Sequence, residues 1–512
     1  MRRLLTAAAL GHAVRAVALT SLLLPVSLAA QAEPHRPQYH FTPATNWMND
    51  PNGMVFYDGE WHLFYQFNPF GNTWGHMSWG HAVSKDLVRW QHLPVALPEE
   101  GGIMVFSGSA VIDWKNSSGF GKNGKPPMVA IYTGHRDGRQ DQRIAYSNDR
   151  GRTWSKYAGN PVLDLKKADF RDPKVFWHAA TSRWVMAVVL SPEHTVQFYT
   201  SSDLRKWTLA STFGPAGSTD GIWECPDLFE VPVEGGGTRW VLVVNMNPGA
   251  PAGGSGTQYF VGTFDGTRFV AEGDARTPRW ADYGSDFYAG VSWNDVPASD
   301  GRRVWLGWMS NWTYAQQVPT SPWRSGMTVA RSLTLRPSAD GLRLVQRPVR
   351  ELESLRTGPP RRFMGGSFAQ AAAWLEQQRD LPPLLDMELT LGSVTPRTPV
   401  TLQLSTGTRE GLTIAIDPAS RRLTIDRAHS GDVAFHKEFA ATHTAPLRVV
   451  NGEVTLRLLL DAASLELFAQ DGETVMSELF FPSGSARTLA LSAAGDAPRV
   501  REIRIHALAP AR

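Results

Sequence analysis

Between Met54 and Trp308 the chain runs in short apolar segments separated by tight Asp-, Asn- and Gly-containing turns, and helical periodicity is scarce. One turn element recurs. It is a small hydroxyl residue, a spacer, an Asp, a short basic stretch and then an aromatic. It occurs as Ser84-Lys85-Asp86 leading to Trp90, Ser147-Asn148-Asp149 leading to Trp154, Ser201-Ser202-Asp203 leading to Trp207, and Thr263-Phe264-Asp265 leading to Phe269. The four Asp positions lie 63, 54 and 62 residues apart. Before each lies a pair of strand-like runs, such as Met128 to Thr133 with Arg143 to Ser147, or Trp184 to Leu190 with Val196 to Ser201. A fifth unit opens near Asp286 without a clear copy of the turn. Repeated four-stranded units of this length predict an all-β fold, a five-bladed β-propeller.

Past Arg350 the texture changes. Eighteen of the 19 tryptophans fall between Trp47 and Trp323, and only Trp374 comes later. The later region alternates apolar and polar residues in short runs such as Val400 to Leu404 and Val454 to Leu460, which predicts a C-terminal β-sandwich following the propeller. The expected boundaries are a propeller over 33–350, a turn-rich linker over 351–362 around Gly358-Pro359-Pro360, and the sandwich over 363–512.

The first 32 residues read as a signal peptide: a basic start at Arg2-Arg3, an apolar run to Ala30, and a small-x-small site with cleavage expected near Ala32. No later stretch is apolar enough to span a membrane as a helix, so a secreted product, extracellular or periplasmic, is expected. The formal net charge of +3 resides in Arg2, Arg3 and Arg15, and the remainder is formally neutral. That gives no electrostatic footprint for nucleic acid or an anionic membrane. Cys225 is the only cysteine, which excludes an internal disulfide; by default it is a small buried apolar residue. The histidines, His76 and His81 included, show no ligand spacing that also gathers acids, so neither metal nor cofactor is expected.

Aligning the units places acids at related points. The first unit offers Asn49-Asp50-Pro51, the third Arg171-Asp172-Pro173, the fourth Glu224-Cys225-Pro226, and the fifth Asp286. In the second, Phe106-Ser107-Gly108-Ser109 puts a hydroxyl where the others have an acid. One such Asp-Pro alone is ordinarily a turn former. Several at matched points of a propeller should instead converge at one mouth of the central channel. Converging carboxylates suit glycoside hydrolysis, with one acid to protonate the leaving oxygen and one carboxylate to attack or to activate water. Trp47, Trp74, Trp79, Trp223 and Trp312 lie close by in sequence as possible sugar platforms. The recurrent Asp86, Asp149, Asp203 and Asp265 read as turn residues with no catalytic part.

Trp47-Met48-Asn49-Asp50-Pro51-Asn52-Gly53, Phe106-Ser107-Gly108-Ser109, Arg171-Asp172-Pro173 and Glu224-Cys225-Pro226, in that order, resemble the motifs of glycoside hydrolase family 32, the levanase, exo-inulinase and invertase family. The resemblance covers essentially the whole chain after the signal segment. It implies a retaining fructan β-fructosidase acting on levan, inulin or sucrose. By similarity Asp50 is the nucleophile, Glu224 the general acid/base and Asp172 the transition-state stabiliser. Asn49, Asn52, Gln66, Trp74, Phe106, Ser107, Arg171, Trp312 and, less directly, Trp323 match positions expected to contact the terminal fructosyl unit. The alternatives are a dedicated invertase, a fructosyltransferase, an inverting pentosan hydrolase on the same propeller, and a non-catalytic carbohydrate-binding protein.

Overall fold

Local turn chemistry shapes the sheets. Asp86, Asp149, Asp203 and Asp265 each accept backbone N–H groups two to four residues ahead (Arg89, Thr153, Lys206 and Arg268, for example, at 2.7–2.9 Å), closing the hairpin between a blade's third strand and its outer edge. In three of the four the preceding serine also bonds the Asp. The computed structural model describes residues 33–407 and 409–512; the expected signal peptide lies outside them. No helix among the described residues is long and apolar enough to cross a membrane.

Five consecutive antiparallel sheets form the N-terminal region. Their first strands are Asn46–Tyr57, Met104–Ile112, Phe170–His178, Ile222–Pro232 and Tyr288–Ser292. Each first strand contacts the next, and the fifth contacts the first, so the ring is closed and these strands line its axis. A short strand, Trp323–Arg324, pairs in parallel with the start of the first blade and ties the fifth-blade segment back to it. Trp47, Trp79, Trp223, Trp293, Trp305 and Trp308 are fully buried, part of the apolar core of this region.

The channel is closed part-way down. Lys174 Nζ bonds Asp227 Oδ2 (3.1 Å) and the Ser292 carbonyl (2.6 Å), and Asn294 Nδ2 donates to the carbonyls of Ala110 and Val175 (2.8 and 2.9 Å). The space left there is about 20 Å³, room for roughly one water.

The C-terminal region is a sandwich of a six-stranded and a five-stranded sheet over a Leu-, Ile- and Val-rich core. Its one α-helix, Phe368–Glu376, starts from a capping box of Ser367 and Gln370. The expected linker is not a loop. Arg350–Leu355 is a 3₁₀ turn, and Arg356–Gly366 is an edge strand paired with Arg499–Leu508. A register shift between Thr357 and Arg361 absorbs Gly358-Pro359-Pro360, which is why prolines that read as a break sit in a strand.

Propeller and sandwich belong to one compact unit, Pro34–Arg512. Buried ion pairs join them, Arg331 to Glu466 and Arg427 to Asp286, and each cation also holds an acid of its own domain, Asp282 and Glu478 respectively. Asp286 is therefore not a fourth acid of the channel mouth. Its carboxylate is engaged by Arg427 Nη1 (2.7 Å), the Tyr314 hydroxyl (2.6 Å) and the Leu479 N–H (2.8 Å), all on the sandwich side.

Candidate active site

Every inner strand carries a register shift near its start: between Met48 and Pro51, Val105 and Gly108, Arg171 and Lys174, Glu224 and Asp227, and Tyr288 and Val291. A bulge kinks the strand and re-aims side chains that plain alternation would send to opposite faces. Asp172, Cys225 and Ala289, one in each of the last three bulges, have φ of 65°, 43° and 52°. Non-glycine residues adopt this conformation at a cost and hold it only where the surroundings enforce it. The bulges also correct the alignment of acids. Asp172 and Cys225 both precede proline and share the positive φ, so Cys225 is the counterpart of Asp172, and Glu224 stands one residue earlier, beside Arg171.

The side chains meet at one mouth. Cys225 joins two strands' acids: its N–H donates to Asp172 Oδ2 (2.8 Å), and its Sγ lies 3.4 Å from Asp50 Oδ2 and 3.6 Å from Asp172 Oδ2. Burial, then Asp172 and Asp50, push the thiol well above its ordinary range, so it stays a neutral donor. Ser107 Oγ donates to Asp50 Oδ2 (2.7 Å), and Asn49 Nδ2 donates to Asp50 Oδ1 (3.1 Å). Asn49 is itself held by the Trp47 indole N–H (2.7 Å). Arg171 Nε reaches Glu224 Oε1 (3.2 Å), while Asp169 and Gln140 hold its Nη1 (2.7 and 3.2 Å). The Tyr288 hydroxyl donates to the other Glu224 oxygen. Burial, and then Glu224, drive that phenol far above its usual range, which keeps the donor protonated.

Asp50 and Asp172 are both held above the ordinary carboxylate range. For Asp50 burial is the main cause, opposed by the Ser107 hydrogen bond and reinforced by Glu224. Asp172 is raised to about 7, again chiefly by burial, with Arg171 opposing and Glu224 and Asp50 adding to it. Asp50 and Asp172 therefore retain protons at pH values where free carboxylates have lost theirs. Glu224 is the most accessible of the three: its side chain is 20 % exposed, whereas Asp50 and Asp172 are buried.

Because the Ser107 hydroxyl stabilises ionised Asp50, Ser107→Ala should raise the Asp50 pKa further. The acid limb of kcat/KM should then move to higher pH, with a smaller effect on the alkaline limb; a pH–rate profile of both proteins checks this.

Of the other residues expected to touch a sugar, Trp74 (40 % exposed) and Phe106 meet edge to face at 6.0 Å, and Phe106 stacks on His135 at 4.7 Å. Trp312 stacks on Trp47 at 5.9 Å and keeps a partly open face. Trp74 and Trp312 are thus the accessible aromatic walls, while Trp47, Trp79 and Trp223 are wholly buried supports. Gln66 anchors to the Val105 carbonyl (3.0 Å). Asn52 is fully buried and spans the Asp50 carbonyl and the Gly108 N–H, linking neighbouring inner strands. Trp323 is also buried, with Arg36 packed over its ring at 4.8 Å.

Two site residues went unassigned in the sequence. Cys225 read as an inert core thiol. Tyr288 carried no motif, although an alignment on the bulges would have pointed to it, as the fifth blade's residue one position before the positive-φ site. Unlike Asp286, it faces the channel.

The chain matches two family models, glycosyl hydrolases family 32 N-terminal domain over residues 40–348 and the family's C-terminal domain over 351–507. It is 48 % identical over 511 residues to a levanase of Bacillus subtilis (strain 168), covering 97 % of this chain and 74 % of that protein. It is 40 % identical over 515 residues to an extracellular exo-inulinase of Aspergillus ficuum, covering 93 % and 94 %. Among solved structures, exo-inulinase from Aspergillus awamori superposes with a TM-score of 0.86 at 37 % identity, covering 94 % of this chain and 99 % of that one. A β-fructofuranosidase from Schwanniomyces occidentalis, complexed with fructosyl-erythritol, gives 0.84 at 33 % identity, covering 93 % and 98 %.

Proposed function

The chain belongs to glycoside hydrolase family 32 and is a glycosidase, and on that premise we propose that it is a secreted, retaining fructan β-fructosidase that removes terminal fructose units from levan or inulin, with sucrose as a possible smaller substrate. The observation that carries this reading is the convergence of Asp50, Asp172 and Glu224 around Cys225 and Arg171 at one channel mouth.

Each residue has a chemical task. Asp50, tied in place by Ser107 and Asn49, attacks the anomeric carbon of the terminal fructose and forms a C–O bond to it. Glu224, the most accessible acid, gives its proton to the departing glycosidic oxygen as the old bond breaks. In the second half Glu224 takes a proton from water, the water oxygen bonds to the anomeric carbon, and Asp50 leaves as the carboxylate. Two inversions give net retention, the outcome expected for carboxyl groups about 5 Å apart. Asp172 offers its oxygens to the fructose hydroxyls, which bind more tightly as charge builds on the ring.

The closed channel favours attack at chain ends. With Lys174, Asp227 and Asn294 blocking it below the acids, the mouth is a blind pocket that admits a terminal sugar and cannot thread a polymer. The relatives described as extracellular and the signal-like start support export.

A time course of products from levan, inulin and sucrose tests the reading. Free fructose is expected as the first and only small product from the fructans. A ladder of oligomers would mean internal cleavage. Sucrose splitting without fructan attack would mean an invertase, and trisaccharides built at high sucrose would mean a transferase.

A further inference from the structure

A large cavity lies at the other end of the propeller channel. Its volume is about 920 Å³, near the top of the roughly 300–1,000 Å³ typical of small-ligand sites. It is lined by the far ends of the inner strands whose near ends carry the acids: Ile112 beyond Ser107, His178 beyond Asp172, Glu230 beyond Glu224, and Asn294-Asp295 beyond Tyr288. His178 lies six steps along the strand from Asp172, roughly 20 Å at about 3.3 Å per residue. With the Lys174 plug between them, the two mouths are separate sites.

The far mouth has a built aromatic floor. Trp114 is 60 % exposed, yet its ring is fixed: the indole N–H donates to Asp295 Oδ1 (2.8 Å), and Tyr57 packs against its edge at 5.7 Å. Trp177 lies across the cavity with the Lys115 ammonium 4.8 Å above its ring, and Trp240 adds a third indole. A tryptophan held rigid and left open is an unusual use of so large an apolar surface, and it suits a ligand with flat apolar faces.

The polar lining argues for an uncharged ligand. Lys115, Arg302 and Arg303 stand against Asp113, Glu230, Asp265 and Asp295, so neither sign dominates. The acids are also occupied. Asp113 takes four hydrogen bonds from Ser117 and Ser118, Asp265 holds its hairpin turn, and Asp295 accepts the Ile112 N–H and the Trp114 indole. No free pair of carboxylates remains for hydrolysis.

We propose that this far mouth is a second, non-catalytic carbohydrate-binding site that holds an internal stretch of a neutral fructan on the Trp114 and Trp177 indoles. The choice of fructan rests on the proposed function. A polymer held there keeps its other chain ends at high effective concentration near the catalytic mouth. A short substrate gains nothing from it.

The test uses the full chain. Asp50→Asn protein, which cannot digest the polymer, is run in native gels containing levan, inulin or dextran, with and without Trp114→Ala. Trp114→Ala alone is assayed on levan and on a fructosyl trisaccharide, and melting temperatures confirm its fold. Expected are retardation by a fructan and not by dextran, its reduction by Trp114→Ala, and a KM for levan raised several-fold with trisaccharide kinetics unchanged. No retardation by either fructan, or retardation and levan KM indifferent to Trp114, would overturn the second site. Failure of the proposed function is separately visible: the wild-type protein would release no fructose, whereas gel retardation reads binding without catalysis.

Discussion

Asp50→Asn is expected to lower kcat on every fructoside by at least ~10³-fold while leaving the fold intact. The amide is nearly the same size; its oxygen can accept from the Asn49 amide while its NH2 group meets the Ser107 hydroxyl, which can accept as well as donate. It is a far poorer nucleophile, and it brings no negative charge to the oxocarbenium-like transition state. Asp172 offers no substitute. The backbone N–H of Cys225 and the bulge at positive φ fix it in place, and with its pKa raised to about 7 it is only partly ionised near neutral pH. Steady-state kinetics together with a melting curve checks the expectation. If Asp50 were only a turn residue, the variant would keep its turnover.

Glu224→Gln should cost about 10²- to 10⁴-fold on natural fructosides, the range that general acid–base catalysis supplies. The pattern of the loss matters more than its size. Protonation is needed only by a poor leaving group, so an aryl β-fructofuranoside with an acidic phenol should lose far less in the first step. Release of the enzyme-bound sugar should then limit the rate, because no base remains to activate water. A pre-steady-state burst of phenol followed by slow turnover is the expected trace. An equal loss on both substrates would make Glu224 a binding residue. Tyr288 and Arg171 each donate to one Glu224 oxygen, and the single amide oxygen of glutamine can replace only one of those two acceptors.

What could be read in advance follows from range of interaction. The blades were legible because their turns are built within a few residues: Ser147 and Asp149 close their own hairpin, and so do Ser201 and Asp203. The acids of the site were legible because motifs hold them in short strings. The failures came from contacts distant in sequence. Asp286 looked like a fourth site acid because it precedes a strand, but its cation, Arg427, is 141 residues away in the sandwich. Tyr288 gains meaning only from Glu224, 64 residues earlier. Asn52 sits in the strongest motif of the chain yet serves the backbone, bridging to Gly108 in the next blade. Trp323 carries its tryptophan identity plainly, but the arginine that covers it lies near the start of the described chain. The one-residue offset between Asp172 and Glu224 could not be seen either, since register shifts leave no mark in a hydrophobic pattern.

The most direct test of the central assignment is peptide mapping by mass spectrometry of Glu224→Gln protein, acid-quenched during turnover of the activated aryl fructoside. The account predicts one fructosyl unit per chain, esterified to Asp50. A fructosyl ester on Asp172, or protein that stays unmodified while product of inverted configuration accumulates, would contradict it.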